Sequence, residues 1–239
     1  MPADNLSPDE SSASARSSSA DTSDDACSAS SSKTETEAES TNDAPSSEEV
    51  GRGLFHAGLW FELGLGVTAV VWAYWRGLPM LDELPWSASI VLESIIATLP
   101  LVAALLILMR VDAPWMERIE AHVRSFLRPI LQYGGLTGMA ILALAAGVGE
   151  ELLFRGVVQA ELIGLIGPWG ALVVASIIFG VCHWITPAYA LIATIMGAYL
   201  GGLYMYTGGL TVPILVHAFY DFVAFAYFAW TEKQTSTAP

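Results

Sequence analysis

Between Leu54 and Trp230 the chain returns repeatedly to apolar runs of about twenty residues, the length a helix needs to cross a bilayer. No other feature constrains the fold as strongly. Lipid offers no water to an unpaired backbone N–H or carbonyl, so a spanning segment must close its hydrogen bonds internally, as a helix does. The expected fold is all-α: a polytopic transmembrane helical bundle of about six spans plus one interfacial amphipathic helix, preceded by a disordered acidic tail.

Leu54–Trp75 and Ser87–Met109 read as the first two spans, the second carrying Glu93 and an expected kink site at Pro100. Asp112–Arg128 differs. Trp115, Met116, Ile119, Val123, Phe126 and Leu127 recur at helical spacing with charges between them, and Glu120 precedes Arg124 by four. Such a segment lies in the interface, and Pro129 is expected to end it. Gly135 to about Ile166 is the overlong third span, closed by Gly167-Pro168. Trp169–Ile185 returns, and Thr186-Pro187 opens a helix running to about Tyr206. Gly208-Gly209 turns the chain into a last span over about Leu210–Trp230. The domains expected are a tail over 1–52, two spans and the interfacial helix over 53–131, a membrane core over 132–231 and a short tail over 232–239.

Composition needs to be divided before it informs. Residues 1–50 hold 15 Ser, 12 Asp or Glu, two bases and no aromatic residue, so they contribute −10 of the formal charge of −14. That segment buries too little apolar surface to offset chain entropy and should be disordered. The acidity thus belongs to a solvated extension, and no nucleic-acid partner is expected. Cys27 and Cys182, one in the tail and one in an apolar helix, do not suggest a disulfide framework. The N-terminus lacks a cleavable signal pattern, so insertion should rest on the internal spans. Arg110, Arg118, Arg124 and Arg128 in one connection, against Arg76 alone in the first loop, place that connection and both termini in the cytoplasm. The expected location is multi-pass, in the plasma membrane of a prokaryote.

Within the third apolar run lies Glu150-Glu151-Leu152-Leu153-Phe154-Arg155. An ionised side chain at a bilayer centre costs about 2.5–3.5 kcal/mol on insertion scales, so such groups need partners or a wet cavity and read by default as functional. Glu151 and Arg155 share a helix face and can pair. Glu150 points elsewhere and is left free, a carboxylate suited to general-base work. Glu150 lies 17 residues before Gly167 and His183 lies 16 after it. At about 1.5 Å per residue both fall roughly 25 Å from the turn, on antiparallel helices. His217, eight residues after Gly209, reaches the same level only if the third and fourth helices protrude. Phe179 stands one turn before His183, and Asp221 one turn after His217. An isolated histidine in an apolar helix is more often a packing residue, but hydrolytic residue types at compatible depths on three helices favour a site.

Glu150-Glu151-x-x-x-Arg155, Phe179-x-x-x-His183 and His217-x-x-x-Asp221 resemble the three motifs of the CPBP family of CAAX-type prenyl endopeptidases and bacteriocin-processing or immunity-associated membrane proteins. The resemblance covers about residues 135–230. It implies an intramembrane endopeptidase in which Glu150 and His183 activate water, while His217 and Asp221 stabilise the oxyanion or hold a metal. Glu151, Arg155 and Phe179 would support the site. Asp221 occupies a position that is often Asn in the family. Glu150, His183, His217 and Asp221 are also ligand types for a divalent metal such as zinc. The His-Glu-x-x-His motif is absent, and metal-dependent and metal-free readings both stand, the former slightly favoured. The partners implied are membrane lipid and a membrane-associated peptide or protein substrate; oligomeric state is unspecified.

Two other classes compete. A non-proteolytic immunity or scaffold protein of the same fold would retain its role without Glu150. A small proton-coupled transporter would favour repeated halves or broken helices, which the sequence does not show. Gly197-x-x-x-Gly201 reads as an internal close-packing surface. Glu62 and Glu93 read as cavity-lining or locally paired, and His56 and His122 as interfacial residues without a function.

Overall fold

The computed structural model describes residues 45–80 and 82–237, and among them every regular element is helical. Residues 1–44 of the tail expected over 1–52, with Cys27, lie outside the described residues.

Helix α1 spans Ser47–Arg76. It starts earlier than the apolar run because Ser46 and Glu49 form a capping box: Ser46 Oγ accepts from the Glu49 N–H while the Glu49 side chain accepts from the Ser46 N–H. The last residues assigned to the tail, from Ser47 on, are therefore helical. Gly77 closes α1 in the left-handed conformation, at φ 69°. Helix α2, Ala88–Leu108, is capped by Ser87 and continues through Pro100.

A continuous helical stretch of 69 residues, Pro114–Cys182, follows. It is far too long for one crossing and is divided by two glycines with positive φ, Gly135 at 57° and Gly167 at 77°. The parts are α3 (Pro114–Leu153), a π-helical turn over Phe154–Gln159, and α4 (Ala160–Cys182). Helices α5 (Pro187–Thr207) and α6 (Thr211–Thr237) complete the chain. Five helical stretches are long and apolar enough to cross a membrane. Cutting the longest at Gly135 and Gly167 recovers the amphipathic segment and the two spans read from the sequence.

Three further boundaries differ from expectation. The amphipathic helix does not end at Pro129 but runs on to the break at Gly135. The carbonyl of Pro129 sits against Gly51 of α1 so closely that a methyl on Gly51 would overlap it, and this packing holds the segment helical despite the missing N–H. Helix α4 stops at Cys182, leaving His183 as its C-cap at φ −97° and ψ 28°. Helix α6 continues past Trp230, so residues 232–237 are helical rather than a tail. Glu232 there takes hydrogen bonds from Arg124 and from Arg128 Nε (2.8 Å), tying the end of α6 to the amphipathic half of α3.

Helix α3 is the centre of the bundle: α1 and α6 pack against it, α4 pairs with α5, and α2 lies against α6. Outward faces carry Val67, Leu92, Ile107, Val173 and Leu191, all exposed. The inner faces carry small or polar groups, including Ala69, Ala73, Ser94, Glu150, Glu151 and Arg155. This is the inverse of a water-soluble domain and suits lipid on the outside. Gly147 meets Ala218 and Ile214 of α6, and Gly149 meets Glu62 of α1, so both neighbours approach the backbone just before Glu150.

Candidate active site

The residues singled out in the sequence meet at one place. Glu150 Oε2 lies 3.5 Å from His183 Nε2 at the end of α4 and 4.0 Å from His217 Nε2 on α6. Asp221 Oδ2 lies 3.5 Å from the same His217 nitrogen. These separations exceed hydrogen-bond length, and Glu150 Oε2 is a buried atom without a partner. The gap between the four groups is of the size that one small donor would bridge.

Both imidazoles are oriented from behind. His183 Nδ1 is 2.8 Å from the Phe179 carbonyl, which can only accept, so that nitrogen carries the hydrogen and Nε2 faces Glu150. The same bond seats the ring on Phe179, stacked at 4.4 Å between centroids and 27° between planes. The guanidinium of Arg155 also lies over the Phe179 ring, 4.7 Å from its centroid. His217 Nδ1 donates to Glu151 Oε1 at 2.8 Å, leaving Nε2 for the pocket.

Glu151 consequently does more than brace its own helix. Its Oε1 accepts from His217 and from Arg155 Nη1 (2.5 Å), and both Glu151 and Arg155 are almost wholly buried. Arg155 Nη2 also donates to the Gly197 carbonyl at 2.8 Å, and one π-helical turn later Gln159 Nε2 donates to the Gly201 carbonyl at 3.2 Å. Gly197 and Gly201 thus form an internal packing surface, as read from the sequence, and also a pair of acceptors. A side chain at Gly201 would stand 2.6 Å from Gln159 Oε1.

A cavity of about 260 Å³ opens beside the site, between α2, the amphipathic half of α3, α5 and α6. Leu105, Met116, Ile192 and Phe228 make its walls apolar, Glu120 and Arg124 lie among its lining, and Asp221 is shared with the site. Glu93 lines a separate cavity with Tyr206, Thr207 and Thr211. His56 and His122 each bond a carbonyl one turn back in their own helix, Arg52 and Arg118, and take no part.

Glu62 was not placed among the site residues from sequence. It arrives from α1, within electrostatic reach of Glu150, His217, Asp221 and His183, and its Oε2 is buried without a partner. The signal was present, a carboxylate inside an apolar span, but nothing local says which way α1 faces.

Glu, His and Asp are zinc ligand types. Among the described residues no group of three or more His, Cys, Asp or Glu is arranged to hold a metal ion, and no step is built on one.

Fold and site together define a polytopic helical membrane protein with an acid–imidazole cluster buried between its spans. Residues 132–223 match the family model described as Type II CAAX prenyl endopeptidase Rce1-like, so this part of the chain is similar to that family. The match contains Glu150, Glu151, Arg155, Phe179, His183, His217 and Asp221, and excludes α1 and α2. No curated protein and no solved structure matches the chain. The family points to a protease and to CAAX-type intramembrane endopeptidase activity.

Proposed function

We propose that the protein is an intramembrane endopeptidase that hydrolyses a peptide bond near the end of a lipid-bearing, membrane-associated chain. One observation carries this reading: Glu150 Oε2, buried and unpartnered, faces two imidazole nitrogens from two other helices at 3.5 and 4.0 Å. A water molecule in that gap satisfies the orphaned oxygen.

The chemistry follows from the donors and acceptors. Glu150 accepts a proton from the water while the water oxygen bonds to the scissile carbonyl carbon, and the carbonyl electron pair moves onto its oxygen. Collapse breaks the C–N bond, and the proton held by Glu150 passes to the leaving nitrogen, giving an acid and an amine. His183 Nε2 accepts a hydrogen bond from the second O–H of the water and aims its oxygen. His217, held by Glu151 and carrying a proton on Nε2, donates to the oxyanion. One such donor is commonly worth about 10²–10³ in rate. Asp221, one turn away, sets a carboxylate 3.5 Å from that nitrogen and stabilises the charged ring. The apolar cavity beside Asp221 suits a lipid chain or aliphatic side chains of the substrate. The arginine-rich connection after α2 faces the cytoplasm with both termini, in the plasma membrane of a prokaryote.

The test is cleavage of farnesylated CAAX peptides by detergent-purified protein, comparing wild type with Glu150→Ala and His183→Ala, each with and without exhaustive chelation. Cleavage by wild type alone, persisting after chelation, is expected. Equal cleavage by all three proteins rejects the site, and loss on chelation with recovery on adding zinc rejects the metal-free form of the chemistry. Biological activity that survives Glu150→Ala returns the scaffold reading.

A further inference from the structure

Glu62 presents an acceptor that nothing among the described residues satisfies. Its Oε2 is buried and unpartnered, and the charged groups within its electrostatic reach are Glu150, Asp221, His183 and His217. It reaches that position because α1 runs against the backbone before the catalytic acid. A methyl placed on Gly149 would sit 3.3 Å from Glu62 Oε2 and would collide with the Glu62 carbonyl. The helix that carries it lies outside the residues matching the protease family, so its role does not come with the motifs.

An orphaned buried acceptor is costly to leave unpaired, and the remedy here is a donor from outside the described residues. Water can serve Glu150, which stands between two imidazoles. Glu62 packs against Gly149, the residue before Glu150, and an extended peptide is a ligand long enough to meet both carboxylates. Such a ligand carries a backbone N–H at every non-proline residue, and each must find an acceptor once it leaves water. We propose that Glu62 is a substrate-binding residue whose carboxylate accepts a hydrogen bond from a backbone N–H of the peptide close to the scissile bond. The inference rests on the endopeptidase reading and adds to it which helix grips the main chain.

Two measurements separate it from that reading. Affinity for a farnesylated CAAX peptide is measured on the Glu150→Gln protein, where nothing is consumed, with and without Glu62→Leu or Glu62→Gln. Glu62→Leu weakens binding roughly tenfold or more, and Glu62→Gln, whose amide oxygen still accepts, restores most of it. A series of peptides, each N-methylated at one backbone nitrogen, then locates the partner. One position loses about tenfold on the Glu62-containing protein and nothing further on Glu62→Leu, a coupling that a purely structural role does not produce. Unchanged affinity in Glu62→Leu overturns the proposal, as does an identical N-methylation profile in the two proteins. Failure of Glu62→Gln to recover affinity, with thermal stability intact, also overturns it. If these peptides bind with the expected coupling but wild type never cleaves them, the endopeptidase reading fails while the binding role stands.

Discussion

Glu151 Oε1 and His217 Nδ1 lie 2.8 Å apart although 66 residues separate them, and the same oxygen also receives Arg155. One carboxylate thus neutralises a buried guanidinium and orients an imidazole on another helix. Removing one partner of a buried pair leaves the other charge stranded, at about 3–5 kcal/mol. Glu151→Leu should therefore lower the unfolding temperature sharply and abolish cleavage. Adding Arg155→Met removes the stranded charge and should restore most of the stability but not the activity, because His217 remains without its anchor. Thermal unfolding and cleavage measured on the single and double variants check this; joint recovery of both properties refutes it.

Helix approach sets the position of His217. A methyl on Gly147 would fall 2.9 Å from the Ala218 nitrogen and from the Ile214 carbonyl oxygen, next to that histidine. Gly147→Ala should cost about 1–3 kcal/mol as overpacking and reduce kcat by displacing α6. Gly64→Ala on α1, where a methyl meets nothing within 4 Å, is the control. It should be neutral or stabilising by up to about 1 kcal/mol. Equal effects at the two glycines would show that packing is not the cause.

The ion pairs joining Glu232 to Arg124 and Arg128 look substantial but should contribute little. Both arginine side chains are at least one-third exposed, at 36% and 59%. Exposed pairs are typically worth about 0–1 kcal/mol and are screened by salt. Glu232→Ala should lower stability by less than about 1 kcal/mol, with the difference shrinking at high salt. A loss of several kcal/mol would mean that the end of α6 is held mainly by this clasp.

Glu83, in the loop between α1 and α2, provides a pH signature. Partial burial raises its pKa above the ordinary carboxylate value, opposed by a hydrogen bond donated by the Tyr204 hydroxyl at 3.1 Å. The folded state then binds this proton more tightly than the unfolded state. The contribution is fully present below the unfolded pKa and is lost as pH rises through the raised folded value. Glu83→Gln should flatten that part of the stability curve and leave the protein more stable above it, as unfolding across pH would show. An unchanged slope would place the titration elsewhere.

Much of the architecture was readable before any coordinates. Gly167-Pro168, Thr186-Pro187 and Gly208 mark three turns because positive φ, a side-chain cap and a missing N–H act within a few residues. The Glu151–Arg155 pair followed from helical spacing alone, and the depth of Glu150 against His183 followed from rise per residue. The continuation past Pro129 did not, because the stabilising contact comes from Gly51 on another helix. The π-helical turn that brings Arg155 and Gln159 to the Gly197 and Gly201 carbonyls was equally hidden.

The amino-acid order alone determined which segments are helices and which residue types could do hydrolytic chemistry, since hydrogen bonding in lipid and helical periodicity are local requirements. Only the tertiary structure decided that Glu151 reaches His217 and that Glu62 arrives from α1 beside Gly149. Which faces of two apolar helices meet depends on where small residues let backbones approach, and that pairing is a property of both surfaces together.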